Sequence, residues 1–232
     1  MSEIKRNLEE IEEKIEICCG KSGRSRSDVQ LVAVTKASDI EQIKEVYDLG
    51  YRVFGENRLP HFTEVSSVMS EYAGDDPVQW DMIGHMQRNK VKNFLPLSTR
   101  IHSLDSLRLA REVEKVAAGL GRKFDSFLQI NCSGEQQKHG IEPPEAAEIA
   151  EQIVKECPSI NLVGVMTMAA FTDDVSQIAS SFRLAKTTFD GIKANDWAGE
   201  AFSRLSMGMT NDYEIAIMEG ATDIRVGSAI FK

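Results

Sequence analysis

The sequence predicts a single (β/α)8 barrel of the TIM type, an α/β fold, with an extra helix at its amino terminus. Eight short apolar runs alternate with helical patterns, and eight parallel strands are the number that closes a barrel. The chain has 232 residues, about what such a barrel occupies, so residues 1–232 are expected to form one domain. An open doubly wound sheet is the alternative, but the segment 36–39 after the first strand lacks its glycine-rich fingerprint.

The order of elements follows from the spacing of apolar residues. Strand-like runs lie near residues 29–35, 51–55, 78–83, 99–102, 124–131, 160–166, 202–206 and 223–227. Helical patterns lie near residues 39–49, 57–72, 86–94, 105–120, 144–156, 174–194 and 211–219. Before the first strand, apolar residues recur at steps of three or four, which predicts an amphipathic helix with one buried face: Ile4, Leu8, Ile11 and Ile15.

Composition excludes several classes of protein. The net charge of −9 argues against a general nucleic-acid or anionic-membrane surface, although a small local phosphate pocket stays possible. There is no apolar signal-peptide core and no run of the ~20 apolar residues that a membrane span needs. The cysteines have no CxxC spacing, which predicts free thiols in a reducing, cytoplasmic setting: Cys18, Cys19, Cys132 and Cys157.

Lys36 ends the first predicted strand, after the apolar run 29–35. In an α/β barrel the chemistry takes place at the carboxyl ends of the strands, so a lysine there is a candidate site residue. A partly desolvated lysine loses proton affinity and can form a Schiff base with an aldehyde. The alternative is a lysine whose stem is packed and whose amine lies in water.

The ends of the last two predicted strands are rich in small residues. Ser206 and Gly208 follow the seventh strand, and Gly227 and Ser228 follow the eighth. Barrels often bind phosphate with these two loops, since small residues let backbone N–H groups approach the anion. Ordinary turn chemistry is the competing interpretation.

Three further polar residues lie on or after strands. Arg225 interrupts an apolar run and forms either a salt bridge within the barrel mouth or a hydrogen bond to a ligand ring nitrogen, which it would leave unprotonated. Asn57 and His85 follow the second and third strands and face the predicted mouth, as site residues, helix caps or satisfied polar groups. The four histidines have no metal-ligand spacing, so no metal site is expected: His61, His85, His102 and His139.

Taken together, these stretches resemble the pyridoxal-phosphate homeostasis protein family, which is related to the N-terminal barrel of alanine racemase. The matching stretches occur in order between residues 32 and 231. They are Val32-Ala33-Val34-Thr35-Lys36, Phe54-Gly55-Glu56-Asn57, the run 83–90, Gln129-Ile130-Asn131, Lys138-His139-Gly140, the run 164–168, the run 205–209 and the run 225–231.

The resemblance implies a cofactor and roles for particular residues. It implies pyridoxal 5'-phosphate (PLP) held as an internal aldimine on Lys36, with Asn57 beside the ring and Arg225 near the pyridine nitrogen. It also implies phosphate contacts from the turn Ser206–Gly208 and from Gly227 and Ser228. The family is thought to buffer or deliver the cofactor inside the cell and has no established reaction.

The sequence departs from the family pattern in two places. After Asn57 the family usually continues with Tyr and a Gln-Glu pair, whereas this chain has Arg58-Leu59-Pro60-His61. This difference is expected to alter the start of the next helix but not the ring contact. The family also usually extends beyond Ile-Phe with a Gly-x-Arg-x-Tyr tail, and here the sequence stops at Lys232, which puts any role of that tail in doubt.

Three functions fit these features. The first is a non-catalytic PLP carrier and regulator, expected to be a monomer, with PLP-dependent apo-enzymes as candidate recipients. The second is a PLP-dependent amino-acid racemase, but racemases of this fold take their second base from another domain, and an arginine at the ring nitrogen weakens the electron sink. The third is a barrel for another phosphorylated metabolite, in which Lys36 is an ordinary phosphate or surface contact. The two points made against the racemase, the second base and the arginine at the ring nitrogen, favour the carrier.

Overall fold

The computed structural model describes residues 2–135 and 137–232 and contains a closed barrel of eight parallel strands in sequence order. Each strand pairs with the next, and the last pairs with the first, with Ala33 opposite Val226. The strands are β1 (Gln30–Val34), β2 (Val53–Glu56), β3 (Gln79–Met82), β4 (Arg100–Leu104), β5 (Phe124–Gln129), β6 (Ile160–Met166), β7 (Arg204–Met209) and β8 (Asp223–Val226). The predicted fold class is therefore confirmed.

The helices lie outside the barrel and follow the strands in turn. They are α1 (Glu3–Lys21), α2 (Ile40–Asp48), α3 (Leu59–Ala73), α4 (Val91–Phe94), α5 (Leu107–Leu120), α6 (Ala146–Glu156), α7 (Val175–Lys193), α8 (Tyr213–Met218) and α9 (Ser228–Phe231). The last of these, a single turn, was not expected from the sequence.

The prediction of a helix at residues 86–94 is wrong in its extent. A 3-10 turn (Arg88–Lys90) leads into the single turn of α4, and a second 3-10 turn (Leu95–Leu97) follows. Proline at position 96 cannot donate a backbone hydrogen bond, and the segment 87–90 is exposed and polar, with no apolar face to bury. The connection after β3 is therefore a series of turns rather than a long helix.

Helix α1 is the predicted N-terminal addition. The Ser2 hydroxyl caps it by accepting a hydrogen bond of 3.1 Å from the Lys5 N–H. Its buried face packs against α8, α9 and α2, and the Asn7 side chain donates to the Ile230 carbonyl at 3.0 Å. The helix thus covers the part of the barrel where β8 meets β1.

Two apolar cores result. The larger lies between the strands and the helices and includes fully buried phenylalanines such as Phe62 and Phe182, each stabilising the fold by about 1.5–3 kcal/mol. The smaller contains Phe127, Val163 and Met166 and is separate from it. All four cysteines are buried and free. Among the described residues, no helix is long and apolar enough to cross a membrane.

Candidate functional site

The predicted site residues gather on four neighbouring strands. In the closed barrel, β7, β8, β1 and β2 follow one another, and parallel pairing brings their carboxyl ends to the same rim. Lys36 follows β1, Asn57 follows β2, and Gly227 and Ser228 follow β8. One half of the barrel mouth therefore carries the residues that were expected to act together.

Lys36 lies in the turn between β1 and α2 and is exposed. Within the described ranges 2–135 and 137–232, its amine forms no hydrogen bond or ion pair. The residue is thus accessible to a ligand at the rim, and it is not the desolvated lysine that the apolar run before it suggested.

Side-chain hydrogen bonds tie the Lys36 turn to β2 and to α3, and sequence reasoning missed the partner on each. The fully buried Glu56 carboxylate accepts a bond of 2.5 Å from the Thr35 hydroxyl and lies 2.9 Å from His61 Nδ1. His61 Nε2 donates to the Ser38 carbonyl at 3.0 Å, and since a carbonyl only accepts, this nitrogen carries a proton. His61, where the chain departs from the family pattern, therefore holds the Lys36 turn in place.

Asn57 has a buried polar atom without a partner. Its side-chain Oδ1 is buried and accepts no hydrogen bond from any described residue. A Cβ on Gly84 would lie 2.6 Å from Asn57 Cβ, so glycine is required there for the two loops to approach. Buried polar atoms are nearly always paired, so this orphan at the barrel mouth makes Asn57 a candidate for a ligand contact.

The loops after β7 and β8 form a narrow cradle of backbone. The Gly227 N–H donates to Thr210 Oγ1 at 3.3 Å, which joins the two loops. A Cβ on Gly227 would lie only 3.0 Å from the Val34 carbonyl of β1. Gly208 has φ +92°, and a Cβ there would lie 2.6 Å from Ala216 Cβ of α8. Ser228 is exposed at the start of α9.

Asp212 adds a negative charge to this cradle. Its carboxylate accepts a bond of 2.5 Å from the Met209 N–H. Burial raises the pKa of Asp212, although this N–H and the positive charge of Arg225 oppose the rise. The loop after β7 thus places a carboxylate near the buried guanidinium.

Arg225 is buried and bonded across the barrel. Its Nη1 donates to Ser206 Oγ at 2.5 Å, and its Nη2 donates to the Thr167 carbonyl at 2.9 Å. A guanidinium has five N–H donors, so it keeps further donors for a ligand. Burial lowers the pKa of Arg225 to about 10, with Asp212 and Asp223 opposing, so it stays a cation at neutral pH.

Ser206 lies inside the barrel, where its hydroxyl is already engaged. Besides accepting from Arg225, Ser206 Oγ lies 3.0 Å from His102 Nδ1, which belongs to the distant strand β4. His102 Nε2 in turn donates to Asp81 Oδ2 at 2.9 Å. With the proton on Nε2, the Ser206 hydroxyl donates to Nδ1, and the hydrogen bonds run in one direction from Arg225 to Asp81.

This series of hydrogen bonds ends at Asp81, which also contacts a second arginine. Arg100 donates to its carboxylate from Nε at 2.9 Å and from Nη2 at 2.5 Å. Burial alone would raise the pKa of Asp81, but His102 and Arg100 outweigh it and hold that pKa below its usual range. Burial also lowers the pKa of His102, despite the carboxylate beside it, which agrees with a neutral ring.

His85 lies at the other half of the mouth, as expected, and is exposed. Its Nδ1 is 3.2 Å from Asp105 Oδ2, and its ring stacks on that of His139. Sequence reasoning did not bring these three together, because they follow three different strands. A signal did exist for Asp81 and His102, which are ionisable residues within predicted strands, and for Glu56, which directly follows the apolar run 53–55.

Comparison with known proteins identifies the family of this chain. The model of the family "Alanine racemase, N-terminal domain" matches residues 6–232. A pyridoxal phosphate homeostasis protein of Helicobacter pylori is 41% identical, covering 88% of this chain and 87% of the relative. The human protein of the same name is 32% identical, covering 97% of this chain and 84% of the relative.

Solved structures extend the comparison. A protein of Bifidobacterium adolescentis described as unknown is 34% identical with a TM-score of 0.91, covering 98% of this chain and 94% of that one. PipY of Synechococcus elongatus with PLP bound is 29% identical with a TM-score of 0.77, covering 88% of this chain and 93% of that one. An alanine racemase of Clostridium difficile is 14% identical with a TM-score of 0.67 and shares the fold. The chain therefore belongs to the family of pyridoxal phosphate homeostasis proteins, built on the alanine racemase N-terminal domain.

Proposed function

We propose that this chain binds PLP at the rim formed by β7, β8, β1 and β2 and serves to buffer or deliver it. The observation that carries the proposal is the pairing of β1 with β8, which sets Lys36 beside the cradle of Gly227 and Ser228. PLP supplies an aldehyde that reacts with amines and a ring that accepts electrons. The Lys36 amine matches the aldehyde of the cofactor, and the anion cradle beside it matches the phosphate.

The residues present fit this group. The orphaned Asn57 amide has an atom that needs a partner, and rotating the amide by half a turn exchanges its oxygen for its NH2. Asn57 can thus donate to an oxygen substituent on the pyridine ring. Arg225 keeps free donors for the ring nitrogen and, as a cation, leaves that nitrogen without its own proton.

Lys36 is proposed to hold the cofactor covalently. Its amine condenses with the aldehyde carbon to form a C=N bond, a Schiff base, and one water leaves. The turn that carries Lys36 is anchored through Ser38 and Thr35 to the His61–Glu56 pair, so the amine starts from a defined loop. Its exposure lets the aldehyde enter and leave, as exchange with other proteins requires.

The phosphate is proposed to lie against Gly208, Gly227 and Ser228. The glycines let backbone N–H groups approach the anion, and the Ser228 hydroxyl donates to it. Ser206 belongs to the site through Arg225, because its hydroxyl accepts a hydrogen bond of 2.5 Å from the guanidinium. A direct phosphate contact from Ser206 stays a prediction from the sequence.

Borohydride trapping tests the site. We expect the purified protein to be yellow, with a visible band that borohydride abolishes while fixing the cofactor to Lys36, as peptide mapping would detect. Lys36→Ala should lose the band yet keep some affinity through the phosphate contacts. Lys90→Ala, which removes an exposed lysine at the same rim, is the control and should behave as wild type. Label on a different lysine would reject the assignment.

Within this proposal the protein is a carrier rather than a racemase. Two-base racemisation needs an acid or base on each face of the ring, and the proposed site assigns Lys36 to one face and no acid or base to the other. Since acid–base assistance is typically worth ~10²–10⁴-fold, one missing base leaves a trace rate. Turnover of L-alanine at the typical enzyme rate of ~1–10³ per second, followed by chirality, would overturn the carrier function.

Delivery has its own test. A cytoplasmic monomer loaded with PLP is proposed to pass the cofactor to apo-enzymes that need it. Mixing the loaded protein with such an apo-enzyme should restore activity, and Lys36→Ala, treated in the same way and desalted, should restore less. Equal restoration by free PLP at the concentration released from the protein would show passive leakage instead.

A further inference from the structure

A second group of side chains converges on the half of the mouth that lacks the proposed PLP contacts. His85 follows β3, Asp105 follows β4, and His139 lies in the loop after β5. One donor atom from each of the three lies within 4.8 Å of the other two. In the closed barrel these strands are opposite β8 and β1, so the cluster lies across the mouth from Lys36.

The residue types are those that bind a transition metal. Neutral imidazoles and a carboxylate together suit zinc and its neighbours, whereas Mg²⁺ prefers oxygen ligands alone. His85 Nδ1 and Asp105 Oδ2 are 3.2 Å apart. Ligand atoms at the usual metal distances are separated by about 3.3–3.6 Å in a tetrahedral site. This pair therefore needs almost no movement to share an ion.

The two histidine rings need a small rotation. They are stacked with centroids 3.7 Å apart and an interplanar angle of 9°. The ring nitrogens of two stacked rings have their lone pairs in two parallel planes, so each ring must tilt about its Cβ–Cγ bond for both to face one ion. Both side chains are exposed, and nothing buried has to move for this to occur.

The surroundings hold the ligands in position. The Ser106 hydroxyl donates to Asp105 Oδ1 at 3.1 Å, which leaves Oδ2 for the histidines. The Gln129 side chain donates to the His139 carbonyl at 2.9 Å. The next residue, Gly140, has φ +138°, and a Cβ there would lie 2.7 Å from backbone atoms of Ile130 and Asn131. The backbone at His139 and Gly140 is therefore fixed to the barrel.

An ion pair between His85 and Asp105 accounts for less of this cluster than a shared metal ion does. Asp105 approaches His85, which explains one contact, but it leaves the close stacking of His139 without a counterpart. A cation that both rings and the carboxylate can share satisfies all three groups.

We propose that His85, Asp105 and His139 bind one divalent transition-metal ion of the zinc type. Three protein ligands leave a coordination position open to solvent, as in metal sites that bind water or a further ligand. None of the three residues belongs to the proposed PLP site. The metal proposal therefore stands or falls separately from the PLP function.

The test uses the full chain, treated with chelator and then titrated with Zn²⁺ by calorimetry and with Co²⁺ as a spectroscopic probe. We expect one ion per chain, a visible Co²⁺ spectrum of low coordination number, and no competition from Mg²⁺. His85→Ala, Asp105→Asn and His139→Ala should each weaken Zn²⁺ binding by at least about tenfold. His85→Ala combined with His139→Ala should abolish it.

Two controls make the result specific. His61→Gln removes a histidine elsewhere at the mouth and should leave Zn²⁺ affinity unchanged, while Lys36→Ala should lose the covalent link to PLP and still bind the ion. Circular dichroism establishes that each variant is folded. Wild-type Zn²⁺ affinity and stoichiometry in the double histidine variant, or no binding to the folded wild type, would overturn the proposal.

Discussion

The barrel interior and the barrel mouth differ in how their polar side chains are paired by hydrogen bonds. Inside, Asp81, His102 and Ser206 are fully buried, and each has partners on other strands. At the mouth, the Lys36 amine and Asn57 Oδ1 have none within the part of the chain that the structure describes. Burial without a partner costs about 1–3 kcal/mol per group. Among the described strand residues, the buried Ser103 hydroxyl of β4 is the exception that has no partner.

This difference separates residues that support the fold from residues that bind. In barrels of this type the carboxyl ends of strands carry the chemistry, and the remainder carries stability. Arg225 belongs to both regions, because Ser206 holds it from within while its remaining donors are open to a ligand. Substitutions in the interior should therefore lower stability, and substitutions at the mouth should lower PLP affinity.

The largest effect is expected for Asp81→Asn. The change leaves Arg100 and His102 buried without the carboxylate that both contact, and breaking a buried ion pair from one side costs about 3–5 kcal/mol. Urea denaturation measures this free energy of unfolding. Asp125→Asn, at an exposed position on β5, is the matched control and should stay within about 0.5 kcal/mol of wild type.

The pH dependence of stability provides a second measurement on the same pair. The unfolded chain binds protons at His102 from a pKa of about 6.5 and at Asp81 from about 3.9, whereas both groups have lower pKa values in the folded protein. Wild-type stability should therefore fall as the pH decreases below about 6.5 and fall further below about 4. In Asp81→Asn the loss that begins near pH 6.5 should remain, because His102 stays buried, whereas the further loss below about 4 should be smaller. A further loss of the same steepness below about 4 would show that other groups control it.

Ser228→Ala is expected to weaken PLP binding and leave stability unchanged. Its hydroxyl is exposed and would donate to a charged phosphate, a bond worth about 1.5–3 kcal/mol, or roughly ten- to hundredfold in affinity. Spectroscopic titration with PLP measures it, and Ser70→Ala on the exposed face of α3 is the control. Unchanged affinity for both PLP and inorganic phosphate would remove Ser228 from the site.

Ser206→Ala should affect both regions. Arg225 Nη1 and His102 Nδ1 lose their common partner, which should cost about 1–3 kcal/mol in the free energy of unfolding while the barrel still folds. PLP affinity should fall as well, because the guanidinium is no longer held. If affinity for inorganic phosphate fell as strongly as in Ser228→Ala, Ser206 would contact the phosphate directly.

The smallest effect is expected for His61→Leu. The change removes the half-buried link between Glu56 and the Ser38 carbonyl, worth about 0.5–1.5 kcal/mol. It should also loosen the Lys36 turn, so that borohydride trapping of PLP becomes slower. His61→Gln keeps hydrogen-bonding capacity and should be nearer to wild type; identical trapping rates in all three proteins would deny His61 a positioning role.

Local apolar periodicity predicted most of the architecture. The strand expected at 160–166 is observed at those residues, because its side chains are buried almost without interruption. The helix expected at 86–94 failed, since apolar spacing in so short a segment does not outweigh Pro96 and the exposed polar residues before it. Placement of Lys36, Asn57, Gly227 and Ser228 at the mouth followed from the strand ends alone.

What the sequence by itself determined is the alternation of strands and helices and the set of residues at the strand ends. Both depend on neighbours within a few positions along the chain, where the pattern is readable. Only the tertiary structure decided which distant side chains meet. His102 reaches Ser206 across the barrel, and His85 stacks on His139 from another strand end. These contacts exist because the sheet closes on itself, and closure brings together positions whose separation along the chain carries no signal.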